Sequence, residues 1–252
     1  MTAIAQGRDR RAVLAGAVCA LAAATALTGC SADDPDAGTN GVGTLPAGTI
    51  QSRTRAAADA ARAVHLSGDV VSNGRSYRLD MRLKSGGGSG SVTSRGGTFG
   101  LLRVGSKLYL KADAGFWKHA EPGSGGGADA DSGAGGKLGG KYVKVPQGDP
   151  AYQRFSGFTD KNLLLDGLLT LHGALAKDGH HEQSGVRTIR VTGGNGSGGT
   201  LDVSLEGTPY PLRLVRAGGA GTLAFSEWGK DFPLTEPSPG DTVDYGKQLP
   251  AS

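Results

Sequence analysis

Strict alternation of apolar and polar positions is the clearest signal along this chain. Residues 77–83 run Tyr-Arg-Leu-Asp-Met-Arg-Leu with an unbroken period of two, which predicts a strand with one wet face. Residues 101–104 and 108–111 flank Gly105-Ser106 and predict a hairpin closed by a two-residue type II′ turn. Residues 85–90 read as a glycine-rich turn, with 91–94 beginning the return strand. Residues 141–145 predict a short strand stopped by Pro146. Four more strands are expected at 186–191, 201–206, 210–215 and 222–228, with turns at 207–209 and 218–221. Two stretches change to a helical period. In residues 49–64, Thr49 is a candidate cap and Ile50, Ala57, Ala61 and Val64 share one face. In residues 160–175, Leu164, Leu168, Leu171 and Leu175 form a stripe flanked by Leu163, Leu165 and Leu169. Sequential hairpins with one apolar face, and two apolar helices to cover it, predict an α+β fold. The sheet is antiparallel and curved into a half-barrel over two or more helices.

The N-terminus follows a different logic. Arg8, Arg10 and Arg11 precede an apolar run at 13–27, which at about 15 residues is shorter than the roughly 20 that span a bilayer. The run ends in Leu27-Thr28-Gly29-Cys30, which resembles the lipobox of bacterial lipoproteins at all four positions. That resemblance implies cleavage between Gly29 and Cys30 and a diacylglyceryl thioether on Cys30. One acyl chain anchors marginally and a second, such as palmitate, makes the anchor stable. The expected location is the outer face of the cytoplasmic membrane. Arg10-Arg11-Ala12-Val13-Leu14 also resembles a twin-arginine export signal, and an ordinary secretory route is equally compatible. Residues 30–48, rich in Asp, Gly, Thr and Pro, read as a flexible tether. A domain at 49–245 follows, interrupted by a disordered Gly/Ala/Ser/Asp insertion at 122–140 and ended by a tail at 246–252.

Composition narrows the picture. The two cysteines are Cys19, inside the apolar run, and Cys30, so the mature chain has no disulfide framework and no cysteine metal site. Removing residues 1–29 turns 27 basic and 23 acidic residues into 24 and 22, a net charge of +2 that does not argue for nucleic acid. Aromatic residues make up only 6% of the chain, so aliphatic side chains must supply the core.

Candidate chemistry is sparse. His180-His181 beside Asp178 and Glu182 suggests a metal site, but a solvated loop accounts for it more simply. His172 reads as a half-exposed helix residue. Gly194, Gly196 and Gly199 match a nucleotide-binding spacing, yet they join two strands where that motif needs a strand and then a helix. Residues 129–133 carry the start of a calcium-loop pattern without its distal glutamate. No Gly-x-Ser-x-Gly elbow occurs. Alternation instead assigns an inward apolar set: Leu79, Met81, Leu83, Leu102, Val104, Ile189, Val191, Leu201, Val203, Leu205, Leu212, Leu214, Leu223 and Phe225, with Leu164, Leu168 and Leu171 from the second helix. By pattern alone these fill a dry core at least as well as they line a ligand cavity.

The order of elements resembles the actinobacterial LppX/LprAFG lipoproteins, relatives of the LolA-like half-barrels. The resemblance rests on Cys30, on the Ala-rich helix running into Val64-His65-Leu66-Ser67-Gly68, and on the hairpin Leu102-Arg103-Val104-Gly105-Ser106-Lys107-Leu108-Tyr109-Leu110-Lys111. The Trp117 region, Tyr142-Val143-Lys144-Val145 and the leucine-rich helix complete it. It implies a half-barrel around an apolar cavity for the acyl chains of a lipid or glycolipid, carried within the envelope. The implied protein is non-enzymatic, uses no cofactor and touches the membrane through its anchor. The Gly-rich insertion departs from the family pattern. A structural or interaction lipoprotein with a filled core, meeting an envelope protein partner, is the alternative.

Overall fold

The computed structural model describes residues 34–72, 74–114 and 138–244. The signal segment with Gly29 and Cys30, the Trp117 region, positions 122–137 and the tail lie outside the described residues.

The strands form one sheet. They are β1 (Ala63–Ser72), β2 (Arg75–Lys84), β3 (Gly87–Ser94), β4 (Gly97–Val104), β5 (Lys107–Ala112), β6 (Tyr142–Val145), β7 (Leu175–Gln183), β8 (Val186–Gly193), β9 (Thr200–Ser204), β10 (Pro211–Val215), β11 (Gly221–Ser226) and β12 (Thr242–Asp244). The spatial order is β12-β6-β5-β4-β3-β2-β1-β11-β10-β9-β8-β7. Two antiparallel meanders are thus joined where β1 meets β11, and β12 lies parallel to β6. The sheet does not close, since β12 and β7 remain edges. Among the described residues three α-helices accompany it: α1 (Ala47–Ala60), α2 (Pro150–Ser156) and α3 (Lys161–Leu168). The fold is α+β, an open half-barrel dominated by antiparallel pairs.

Register explains the core. Val191, Leu201, Leu214 and Leu223 lie side by side across β8 to β11, and the row continues through Gly68, Leu79, Val92 and Phe99. A second row runs Phe225, Leu66, Met81, Gly90, Leu101, Leu110 and Val143. The large side chains of both rows belong to one buried cluster. The β4–β5 hairpin closes as expected: Gly105 has φ 59 and Ser106 does not have positive φ, the pattern of a type II′ turn.

Several expectations need correction. The first helix starts at Ala47 and ends at Ala60, so Ala61 and Val64 are not helical and Pro46, not Thr49, precedes it. Its buried stripe is Ala47, Ile50, Gln51, Thr54 and Ala58. Residues 87–90 are strand, not turn. Their glycines are needed there: a Cβ at Gly90 would lie 2.6 Å from Met81 Sδ, and one at Gly88 would lie 2.6 Å from Leu83 Cδ2. The helix expected over 160–175 is short. Asp160 caps it by accepting from Leu163 N, it stops at Leu168, and Leu175 opens β7. Leu138, placed in the insertion, is buried in the core. Residues 36–48 are docked, contrary to a tether: Val42 is buried, Asn40 Nδ2 donates to the carbonyls of Ser204 and Gly207, and Arg187 donates to those of Ala37 and Gly38. Backbone partners hold this segment, and hydrophobic patterning does not register them.

Candidate functional site

The expected lining divides in two. Leu79, Met81, Leu83, Leu171, Ile189, Val191, Leu201, Val203, Leu205, Leu214, Leu223 and Phe225 are all buried on the inner side. A side chain beside a void large enough for water exposes surface to it. Met81, Leu83, Val191, Leu201, Val203, Leu205 and Leu223 are 0% exposed, so against them there is no room for water and none for an acyl chain. Leu164 and Leu168 are half-buried on α3, packed against the cluster.

Leu102, Val104 and Leu212 do not share that face. Phe99 and Leu101 are the buried positions of β4, which puts Leu102 and Val104 on the opposite side. Alternation is misphased here because Arg103 turns inward. In β10 the register shifts between Pro211 and Arg213, and this bulge removes Leu212 from the row that Leu214 keeps.

Arg103 ties the sheet to the helical layer. Its Nε donates to Thr159 Oγ1 at 3.0 Å, and its Nη2 donates to Thr159 O at 2.9 Å and to Asp160 Oδ2 at 3.2 Å. Thr159 itself is fully buried, in the turn between α2 and α3. Two residues further, buried Lys161 reaches across to α1 and donates to the carbonyls of Ala58 and Asp59 at 3.1 and 2.9 Å. Burial holds the Lys161 ammonium below its ordinary value, against the opposing pull of Asp59 and Asp160. Arg55 of α1 pairs with Asp166 of α3 on the exposed side.

The inner stripe of α1 adds two more polar groups. Gln51 Nε2 donates to Leu169 O at 3.2 Å, while Gln51 Oε1 and Thr54 Oγ1 are buried without a hydrogen-bond partner. A small cleft of about 60 Å³ opens between Gly167, Leu168 and Thr170 to His172, Gly198-Gly199 and residues 214–217, without Leu169 in its lining. None of Arg103, Lys161, Gln51 or Thr54 stands out from sequence as a site residue. The available signal is their phase: each falls on a stripe of otherwise buried positions.

The layer also exposes hydrocarbon outward. Leu163 of α3 is 66% exposed, and Tyr152, Phe155 and Phe158 are half-buried a few residues before it.

The histidines resolve differently from expectation. His180 and His181 lie in edge strand β7, not in a loop. His180 Nε2 meets Asp36 Oδ1 at 3.0 Å and His181 Nε2 meets Asp178 O at 2.8 Å. Among the described residues no three or more His, Cys, Asp or Glu gather to hold a metal. His172 follows α3 as an exposed coil residue whose N–H donates to Gly198 O. The Gly194–Gly196 segment is a turn between β8 and β9. On the outer face, His65 Nε2 lies 2.8 Å from Asp80 Oδ1 and His65 Nδ1 lies 3.2 Å from Ser226 Oγ. The ring nitrogens are reversed from the order that activates a serine, and Asp80 is 62% exposed, so this line links three strands.

The fold is similar to that of LprF from Mycobacterium bovis, with TM-score 0.49 and 16% identity over 77% of this chain and 99% of that one. It is also similar to the Mycobacterium tuberculosis lipoprotein LppX, with TM-score 0.44 and 12% identity over 75% of this chain and 99% of that one. An uncharacterized conserved protein from Thermus thermophilus aligns with TM-score 0.37 and 11% identity, over 79% and 98%. Both mycobacterial names belong to the group the sequence resembles. No protein-family model and no curated protein sequence matches the chain.

Proposed function

We propose that this chain is a lipid-anchored lipoprotein of the cell envelope that holds the acyl chains of a lipid or glycolipid between its helical layer and the inner face of its sheet. The anchor is the thioether at Cys30, made after cleavage behind Gly29, on the outer face of the cytoplasmic membrane. The protein performs no chemistry on its cargo and needs no cofactor.

The seam between α2–α3 and the sheet carries this reading. Directed hydrogen bonds from Arg103 tie the layer to the sheet and those of Lys161 tie α3 to α1, beside the buried Ala151 and Leu165, and the layer is apolar on its far side as well, at Leu163. The polar links re-form in water when the layer lifts, and the apolar surface of Ala151 and Leu165 exposed at the same time is covered by the incoming acyl chains. Cargo enters by lifting α2–α3, with the sheet left intact.

The compact unit begins at Pro35, so a chain beginning at Ser31 keeps it. Purified in that form and extracted with organic solvent, it is expected to yield close to one equivalent of acyl lipid by mass spectrometry. Lipid-free protein would overturn the proposal. The complete burial of Met81, Val203 and Leu223 favours a second reading, a filled-core lipoprotein that meets an envelope protein through its outer face. Arg103→Met separates the two. A loosened seam speeds the exchange of bound lipid for added labelled lipid in the first case and leaves lipid content at zero in the second.

A further inference from the structure

At the rim of the sheet's inner face, a cleft of about 340 Å³ lined by residues 74–77 and 94–96 holds two arginines and no acid. Alternation along β2 sets Arg75 and Tyr77 on the face of Leu79, Met81 and Leu83, at the end where the buried positions stop. Tyr77 still packs against the core, whereas Arg75 and Arg95 are exposed. The β2–β3 ladder runs out to Arg78 opposite Thr93, and its strands lie about 5 Å apart. Arg75 and Arg95 therefore stand close together just beyond its last pair. Neither guanidinium has a hydrogen-bond or ion-pair partner among the described residues. Side by side, such charges repel. Other clefts on this surface match their cations. One holds Arg82 and Lys230 with their partner Glu227, and in another Lys107 and Lys144 are paired with Glu236 and Asp244. Asp69, on the strand beside β2, is taken by Arg78. Arg216, bonded to Val71 O and Ala220 O at the same end of the sheet, adds further positive charge.

We propose that this cleft binds a phosphate monoester through Arg75 and Arg95. Guanidinium forks fit the oxygens of a phosphoryl group, and the near-double negative charge of a monoester at neutral pH balances two arginines. Ser94 Oγ accepts from Gly96 N at 3.3 Å, which leaves its hydrogen to donate to a ligand oxygen. Half-buried Tyr77 gives the cleft one wall of low dielectric, against which charge attraction is stronger than in open water. The cleft includes no residue of the α2–α3 seam and requires no acyl cargo. Its phosphate can belong to a soluble ester or to the head of a lipid such as phosphatidic acid.

The test uses the chain beginning at Ser31 at constant ionic strength. Glycerol 3-phosphate is titrated by calorimetry, and phosphatidylcholine vesicles with and without phosphatidic acid are sedimented with the protein. Saturable binding at one equivalent is expected. Arg75→Gln and Arg95→Gln should each weaken it about tenfold, and the double variant should abolish it. Both positions are exposed, so these variants should fold as wild type does. Arg154→Gln removes an exposed arginine outside the cleft and should bind as wild type. Retention that needs phosphatidic acid, and is lost in the double variant, assigns the phosphate to a lipid. Binding of glycerol 3-phosphate without retention on vesicles assigns it to a soluble ester. No saturable binding of either probe overturns the proposal, as does binding that survives in the double variant. An equal loss in Arg154→Gln also overturns it, because net charge alone would then account for the attraction.

Discussion

The inner face of the sheet and the helical layer lying on it are built from different chemistry. Across β8 to β11 the inward positions are Val191, Leu201, Leu214 and Leu223, all essentially without exposure and without a polar side-chain atom among them. The layer's buried positions include Gln51, Thr54, Thr159 and Lys161, and the sheet answers them with one inward arginine. Apolar rows pack densely and resist parting, because each buried leucine contributes roughly 1.5–3 kcal/mol. A seam of hydrogen bonds contributes about 1 kcal/mol per bond net and is directional. On the proposed function, the difference makes the sheet the permanent part and the layer the part that lifts.

The comparison breaks first at Leu201. Leu201→Ala should destabilise the protein by about 2–5 kcal/mol, read as a lowered denaturation midpoint, because no neighbour can collapse into the space. Val203→Trp should cost about 1–3 kcal/mol through overpacking. A tolerated tryptophan would reveal space at a position 0% exposed in this structure and would make the sheet as yielding as the layer. Arg103→Met sharpens the contrast. It should speed hydrogen exchange in residues 150–169 by roughly five- to a hundredfold, corresponding to about 1–3 kcal/mol for orphaning Thr159 O, while the amides of β8 to β11 keep their protection. Uniform loss across both regions would mean that the layer does not open separately.

How much of this was legible depended on whether inward positions carried apolar side chains. The strand at 77–83 and the hairpin at 101–111 were readable because polar residues alternate with large apolar ones. β3 was hidden because Gly87, Gly88 and Gly90 occupy positions where a side chain would strike Arg103 O, Leu83 or Met81. β7 was hidden because, as an edge strand, it turns polar residues toward the docked N-terminal segment, where Lys177 and His180 bond to Gly43 O and Asp36. The leucine stripe at 160–175 misled for the opposite reason: Leu165 is buried by a helix, Leu171 by a coil, and Leu175 begins a strand. One periodicity spans three structures. The lining set was largely assignable by alternation, but alternation carries no information on whether facing side chains touch. The polar seam stayed invisible because each of its residues reads, alone, as a solvated surface group.

Thr54→Val tests the layer from the other direction. Replacing a buried, partnerless hydroxyl by a methyl of the same shape should raise stability by about 1 kcal/mol, measured as a shift of the denaturation midpoint. The sheet has one counterpart, Thr188 of β8, whose hydroxyl is likewise buried without a partner among the described residues, although it lies off the two apolar rows. A loss of stability would show that Thr54 is satisfied in solution, and the contrast between the two regions would narrow.

The smallest effect belongs to neither region and calibrates both. Glu227 follows β11 on the protein surface, where hydrogen bonds from Lys230 and then Arg82 hold its carboxyl down at about 2 against an ordinary 4.5. A carboxylate whose folded value is depressed stabilises the fold above its unfolded value, and that contribution is lost as pH falls from 4.5 toward 2. Glu227→Gln should therefore flatten the acid limb of the stability curve between those values. At neutral pH it should lower the midpoint by the same amount that wild type loses through this carboxylate on acidification, an amount kept small because exposed ion pairs are screened by water and salt. Exchange in residues 150–169 should stay as in wild type. If it quickens, the layer responds to charge on the far side of the sheet, and the seam at Arg103 is not what sets its opening.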